Sequence, residues 1–308
     1  MLRPGHIETL SLFQRKTLKS ILMLSENAPT PSIHFLTGEL PIEGQIHRDV
    51  FSIFYSIWSN PDTKIAEIVR YLLKHVNEKS NTWCAYLIFL SRRYGLDNPS
   101  SYLNVDPPSR SVFKELVATK IACFFERELR QKAENNSLMK YLNVSTLGLR
   151  GRRHIALSNL STSYSVKIAR PHLKFLSGNY ITQEIIARQS KKGSPTCKVC
   201  QSGDEETVCH IICSCKAYDD QRNRVFIQFS QLCKETVNSL EFEHFLNDEE
   251  QLCQFIIDPT SLNLSVRVSF DDPRVDEFFK LSRDFCFIID KTRKNLLKAL
   301  KPTFKSCH

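Results

Sequence analysis

The sequence predicts a mainly α fold, an irregular helical bundle interrupted by one small cysteine-rich knuckle. Three observations predict it. Apolar residues recur at helical spacing through most of the chain, with caps and prolines at segment ends. Strand signals are scarce: Leu264–Val268 alternates, but it is short and isolated. Five thiols and one imidazole fall inside Cys197–Cys215, a density that helical packing does not require.

The helical segments follow in order. Leu10, Phe13, Ile21 and Leu24 lie on a helical period with a gap at Thr17, and Pro29 and Pro31 stop that segment. Asn60-Pro61-Asp62 predicts a helix start, with an N-cap, proline at the first position and an early acid. Behind it Ile65, Ile68, Val69, Leu72, Leu73 and Val76 form an apolar stripe. Pro107-Pro108-Ser109 opens another helix, predicted to turn Val112, Phe113, Leu116, Val117, Ile121, Phe124 and Phe125 inward. Pro171 is placed at the first position of a further helix. From Asp276 the pattern repeats through Phe278, Leu281, Phe285, Ile288, Ile289, Leu296 and Leu297. Leu147-Gly-Leu-Arg-Gly151 is a break and an expected boundary. The reading divides the chain into 1–147, a helical region; 148–225, a basic segment with the knuckle; and 226–308, a helical tail.

Composition narrows the class. The 308 residues suffice for about two domains. The longest unbroken apolar run, Trp83–Leu90, is far too short to span a bilayer. The start Met1-Leu-Arg-Pro-Gly5 lacks the apolar core of a secretion signal, so an intracellular protein, nuclear or cytoplasmic, is expected. Eleven cysteines in such a chain argue against a disulfide framework. Cys84, Cys123, Cys233, Cys253, Cys286 and Cys307 are scattered, and most are expected to be inert core residues.

The net charge of +9 is concentrated. Between Lys140 and Gly193 stand ten basic residues and one acid, Glu184, so this segment holds the whole excess. A basic stripe beside a cysteine knuckle suggests a polyanionic partner, set against the plainer reading of a solvated positive surface. Arg150, Arg152 and Arg153 flank glycines in a loop suited to phosphates. Lys167, Arg170 and Lys174 form a second candidate set, and Lys191 and Lys192 a third. Tyr164, His172 and Tyr180 are near enough to stack on unpaired bases, although packing is the commoner use of such residues.

Cys197, Cys200, His210 and Cys215 read as C-x2-C-x9-H-x4-C, four soft or borderline donors that suit a closed tetrahedral zinc site. A closed site holds a fold together and leaves no corner for catalysis. Cys197 and Cys200 fit a tight turn after Pro195. The second pair is harder, because residues five apart on an α-helix point about 140° from one another. Cys209 with Cys213, or His210 with Cys213, fits an unbroken helix better, and thiols buried without metal are the plainest alternative.

Cys197-x2-Cys200, Glu205-Glu-Thr-x-x-His210 and Cys215-Lys-Ala-Tyr-Asp-Asp-Gln-Arg222 resemble the zinc-binding segment that closes the reverse transcriptase polyprotein of non-LTR retrotransposons. The resemblance implies His210 and Cys215 as the last two ligands. Lys216 stands where that family has the proline that stops the helix, which keeps Cys213 as a possible substitute. Leu12–Leu22 and Gly38–Ile42 look like the helical region after the polymerase core. Arg170–Gly178 resembles the basic helix ahead of the zinc segment, and Phe255–Thr260 is similar with less specificity. The matches are collinear. What is missing is the paired-aspartate turn that holds two metal ions. Asp219-Asp220 has Ala217, and Asp271-Asp272 has Ser269, at the position that needs an aromatic residue, so both pairs are expected to be solvated acids. The resemblance implies a non-catalytic, zinc-stabilised remnant that binds RNA or DNA with little sequence preference. The rival readings are a zinc-containing helical protein-interaction module and an open reading frame whose product folds without a selected role.

Overall fold

A computed structural model of the chain describes residues 4–77, 80–103, 105–190, 193–236, 248–261 and 273–300. Lys191, Lys192, the alternating Leu264–Val268, Asp271-Asp272 and Cys307 lie outside the described residues. Among the described residues every regular element is helical, and the β content is one isolated bridge between Thr196 and Glu205. The α-helices are α1 (Pro4–Ile21), α2 (Thr30–Thr37), α3 (Ile42–Trp58), α4 (Lys64–His75), α5 (Trp83–Tyr94), α6 (Pro99–Tyr102), α7 (Arg110–Glu134), α8 (Ser163–Leu176), α9 (Gln183–Ser190), α10 (Asp219–Thr236), α11 (Glu249–Ile257) and α12 (Pro273–Ala299). No helix among them is long and apolar enough to cross a membrane.

Caps place several of these ends. The Thr63 hydroxyl accepts from the Ala66 amide at 3.2 Å, so α4 begins three residues later than Asn60-Pro61-Asp62 suggests. Thr82 caps α5 through the Ala85 amide, and Gly95 ends that helix in the left-handed conformation. Thr162 and Ser165 form a capping box at the start of α8. That helix then runs through Pro171 without ending. Pro171 is an interior residue, buried on the packed face, and not the first residue of a new helix.

The chain folds into two compact units, each assembled from separate stretches. The first comprises Met1–Thr17, Thr37–Lys132 and Gly148–Arg152; the second comprises Leu18–Leu36, Ala133–Leu147 and Arg153–His308. The segment 148–225 is therefore shared, with its first five residues in the first unit.

The first unit is an aromatic core. Phe51, Phe54, Tyr55 and Trp58 of α3 are buried. The Tyr55 ring stacks on Phe113 of α7 with centroids 5.3 Å apart, and Trp58 meets Tyr102 at 5.2 Å. The polar ends of these rings are satisfied. Tyr55 donates its hydroxyl to the Pro108 carbonyl at 2.7 Å, and the Trp58 indole N–H donates to Val105 at 2.9 Å. His47 sits between the Tyr94 and Tyr86 hydroxyls, 2.5 and 2.7 Å away, and burial brings its pKa down to about 4.

The predicted apolar stripes are wider than the surfaces this unit covers. On α4, Ala66, Val69 and Leu73 are buried, whereas Ile65, Ile68, Tyr71 and Leu72 are 63%, 57%, 64% and 44% exposed. On α7, Phe113, Val117, Ile121 and Phe125 point inward as expected, but Val112 and Leu116 face out. Leu10 and Phe13 of α1 are exposed as well.

In the second unit α8 and α10 both pack on the long α12. Phe175 of α8, Phe255 of α11, and Phe278, Phe279 and Phe285 of α12 are all fully buried. His172 and Tyr180 belong to this core. His172 is wholly buried, with Nε2 2.6 Å from the Ile257 carbonyl. Tyr180 stacks on Phe175 at 3.8 Å and donates to Asp290 at 3.2 Å. Neither ring is available to a base.

Candidate metal centre and the basic face of α8

The knuckle starts as a short hairpin. The Cys197 amide donates to Asp204 and the Glu206 amide to Pro195, both at 2.8 Å, around the Thr196–Glu205 bridge. The tip needs left-handed backbone, supplied by Gln201 at φ 53° and Gly203 at φ 89°. The hairpin sets Cys197 beside its bridge and Cys200 just before its tip.

The second ligand pair comes from a π-helical turn, His210–Ser214. The Cys215 amide donates to the His210 carbonyl at 2.7 Å, an i→i+5 bond. The wider turn brings residues five apart onto one side, which an α-helix cannot do. The helix does not have to end between His210 and Cys215 for them to converge: it widens instead. The Thr207 hydroxyl accepts from the His210 amide at 3.0 Å and fixes the start of the turn.

Cys197, Cys200, His210 and Cys215 thus offer three sulfurs and one ring nitrogen, all within 4.8 Å of one another. Cys200 Sγ is 3.4 Å from His210 Nε2, and the Cys197 and Cys215 sulfurs are 3.9 Å apart. Burial pushes the Cys197 and Cys215 thiols up. Burial also raises Cys200, but hydrogen bonds from the side chain and backbone of Ser202, then from Cys197 and His210, outweigh it and bring this thiol down to about 6. The donor set fits a thiophilic ion: four atoms, soft or borderline, mostly buried, at a spacing that a small cation draws together. Cys213 points elsewhere and belongs to a different cluster.

The residues around the donors explain the rest of the motif. Glu206 is fully buried and receives two hydrogen bonds from Arg293 of α12, at 3.1 and 2.6 Å, plus one from the Gln183 amide at 2.8 Å. Its Oε1, which accepts from Arg293 Nε, also lies 3.9 Å from the Cys197 sulfur. Arg222 of α10 donates to the Ile212 carbonyl at 3.0 Å and the Cys215 carbonyl at 2.7 Å, closing the open end of the π-turn. Asp219 holds that guanidinium at 2.5 Å, so it is a positioning acid and not a merely solvated one. Tyr218 is fully buried against this frame. Spacing alone gives no sign of the Glu206–Arg293 pair, because its partners lie 87 residues apart.

The cationic candidates divide between the units. Arg150 and Arg152 lie in the first, on a loop held by the Gly151 amide, which donates to Gly38 at 2.9 Å. Gly38 has φ +68°, and a Cβ there would meet the Arg152 carbonyl oxygen at 2.3 Å, so only glycine permits this approach. Arg150 also faces Glu115 at 3.5 Å. Arg153, Lys167, Arg170 and Lys174 lie in the second unit. Lys167, Arg170 and Lys174 recur at helical spacing along α8, opposite the buried Ala169, His172, Leu173 and Leu176. Lys167 and Arg170 are exposed; Lys174 is half-buried, and burial, then the neighbouring Arg170 and Lys294, lower its pKa. Tyr164, 69% exposed, continues the same stripe one turn earlier.

Searches of protein-family models, of curated proteins and of solved structures return no match.

Proposed function

We propose that this chain is a non-catalytic, zinc-stabilised nucleic-acid-binding protein, a remnant of the C-terminal region of a non-LTR retrotransposon reverse transcriptase. The single observation that carries the binding reading is the outer side of α8: Lys167, Arg170 and Lys174, three cations on the side away from the buried Ala169, His172 and Leu176, with the exposed Tyr164 three residues before Lys167. Cations at one-turn spacing suit successive phosphates, and an exposed ring gives a base something to stack on. Zinc is the ion that best suits three thiolates and one imidazole. The retrotransposon assignment rests on the knuckle motif, for which four further residues have a structural place: Thr207 and Arg222 bond to the π-turn, Glu206 is gripped by Arg293 beside the Cys197 sulfur, and Tyr218 is fully buried.

Gel shifts with single-stranded RNA and DNA across a salt series test the proposal. Affinity should fall log-linearly with salt, and replacing Lys167, Arg170 and Lys174 together by alanine should reduce the slope by roughly two to three. Tyr164→Ala should weaken single-strand binding with little change in slope. Absence of binding at low salt, or a triple variant that binds like the wild type, sinks the reading.

The exposed face of α4, Ile65, Ile68, Tyr71 and Leu72, favours the second reading, a protein-interaction module. Binding that ignores salt and vanishes on Ile68→Lys is the result that prefers it.

A further inference from the structure

The π-turn has a second side. Cys209 and Cys213 project from it away from the His210–Cys215 pair, toward α11. There the sulfurs of Cys209, Cys213 and Cys253 lie within 4.8 Å of one another. Cys253 is fully buried, Cys209 is buried and Cys213 half-buried, so the cluster is sheltered with one member near solvent. The Glu249 carbonyl oxygen stands 3.5 Å from the Cys209 sulfur and 3.6 Å from the Cys213 sulfur. Glu250, next along α11, is held by Lys140 at 2.9 Å and by the Tyr141 hydroxyl at 3.2 Å, which brings a cation to the edge of the cluster. Cys253 is buried, as expected of most of the scattered cysteines, and it stands beside two other thiols.

We propose that Cys209, Cys213 and Cys253 form a second metal site, distinct from the knuckle, for a thiophilic cation bound by three thiolates. Three sulfurs each at a zinc–sulfur bond length from one ion are about 3.8 Å apart, and these three already lie within 4.8 Å of one another. Thiolate-only donors select zinc or copper(I) over hard cations. Among the described residues no fourth side chain joins this set, so the ion is three-coordinate, as suits copper(I), or completes its shell with the Glu249 carbonyl or water, as suits zinc. Packing alone does not ask for this arrangement. A buried thiol that serves as a small apolar group, like Cys233 or Cys286, has no need of sulfur neighbours. The bound ion would fasten α11 to the π-turn, so that this one turn is held by metal on both sides.

Native mass spectrometry of the full reduced chain tests this. Loaded with zinc, the wild type should carry two ions. Cys253→Ser and Cys213→Ser should each carry one, Cys200→Ser one, and the Cys200→Ser/Cys253→Ser double variant none. If copper(I) is the true occupant, the zinc-loaded chain holds one zinc and takes up one copper supplied anaerobically, and Cys253→Ser loses the copper alone. One ion in total after both zinc and copper(I) have been supplied, lost with Cys200→Ser and untouched by Cys253→Ser, overturns the proposal, as does a second ion that survives both Cys213→Ser and Cys253→Ser. The wild type carries its own control should a variant unfold. In the loaded protein Cys213 should react with N-ethylmaleimide at least tenfold more slowly than after chelation, and equal rates overturn the assignment. Nucleic-acid binding plays no part in any readout.

Discussion

The two units hold themselves together by different means. The first is fastened mainly by apolar contact: α3 buries Phe51 and Phe54 and lays Tyr55 and Trp58 against Phe113, and the buried polar groups described there are His47, a few hydroxyls and one indole N–H. The second has an apolar core of its own, but its knuckle is set by directed bonds. A guanidinium grips a buried carboxylate, another closes a π-turn, and four metal-type donors converge. Non-directional burial tolerates surplus, so the first unit can leave Ile65, Ile68 and Leu72 in water. Directed bonds do not tolerate surplus, because each buried donor left without its partner is costly.

The largest expected effect follows from removing metal. Chelation, or Cys200→Ser, should release protection from hydrogen exchange across 195–222 while amides of α3 and α7 keep theirs; a structural zinc can contribute on the order of 10 kcal/mol. Equal loss in both units breaks the contrast. Next comes Glu206→Gln, which leaves Arg293 buried without its counter-charge. It should cost about 3–5 kcal/mol and weaken metal retention, read by thermal unfolding and a competing chelator. In the first unit, Phe54→Ala should cost a similar 3–5 kcal/mol by leaving a cavity, with metal content unchanged.

Acidification should reach the first unit through His47. Its folded pKa of about 4 lies below the ordinary 6.5, so the unfolded chain takes up the proton first. The stability tied to a neutral His47 is fully present above pH 6.5 and drains away as pH falls toward 4. His47→Gln should flatten that part of a stability-against-pH curve; an unchanged curve refutes the assignment. The smallest effect is on α4. Ile68→Lys should alter stability by no more than about 0.5 kcal/mol.

The helical class and most helix positions are legible in the chain because capping and periodicity are local. Which face is covered is not local. The stripe of α4 is as regular as the inner face of α7, yet much of it faces water. Periodicity reports which residues share a side and says nothing of what stands opposite. Pro171 misleads for a related reason: a proline often starts a helix, but the capping box at Thr162 had already started this one. At the site, the nearby ligands Cys197, Cys200 and His210 are readable from spacing. Cys215 is offered by the same spacing, but α-helical geometry argues for Cys213 instead; the resemblance favours Cys215, and the π-turn removes the objection. Arg293 and Cys253 are beyond any spacing argument, since each reaches its partners only through the packing of a distant helix.

In evolutionary terms a π-turn is an α-helix carrying one inserted residue. With one residue fewer between them, His210 and Cys215 would stand four apart and share a face of an ordinary α-helix. The extra residue leaves that pairing intact and is absorbed as a bulge, closed by the Cys215–His210 backbone bond and by Arg222. A chain with one residue fewer here would therefore keep the same two donors on one side, at a spacing of four instead of five.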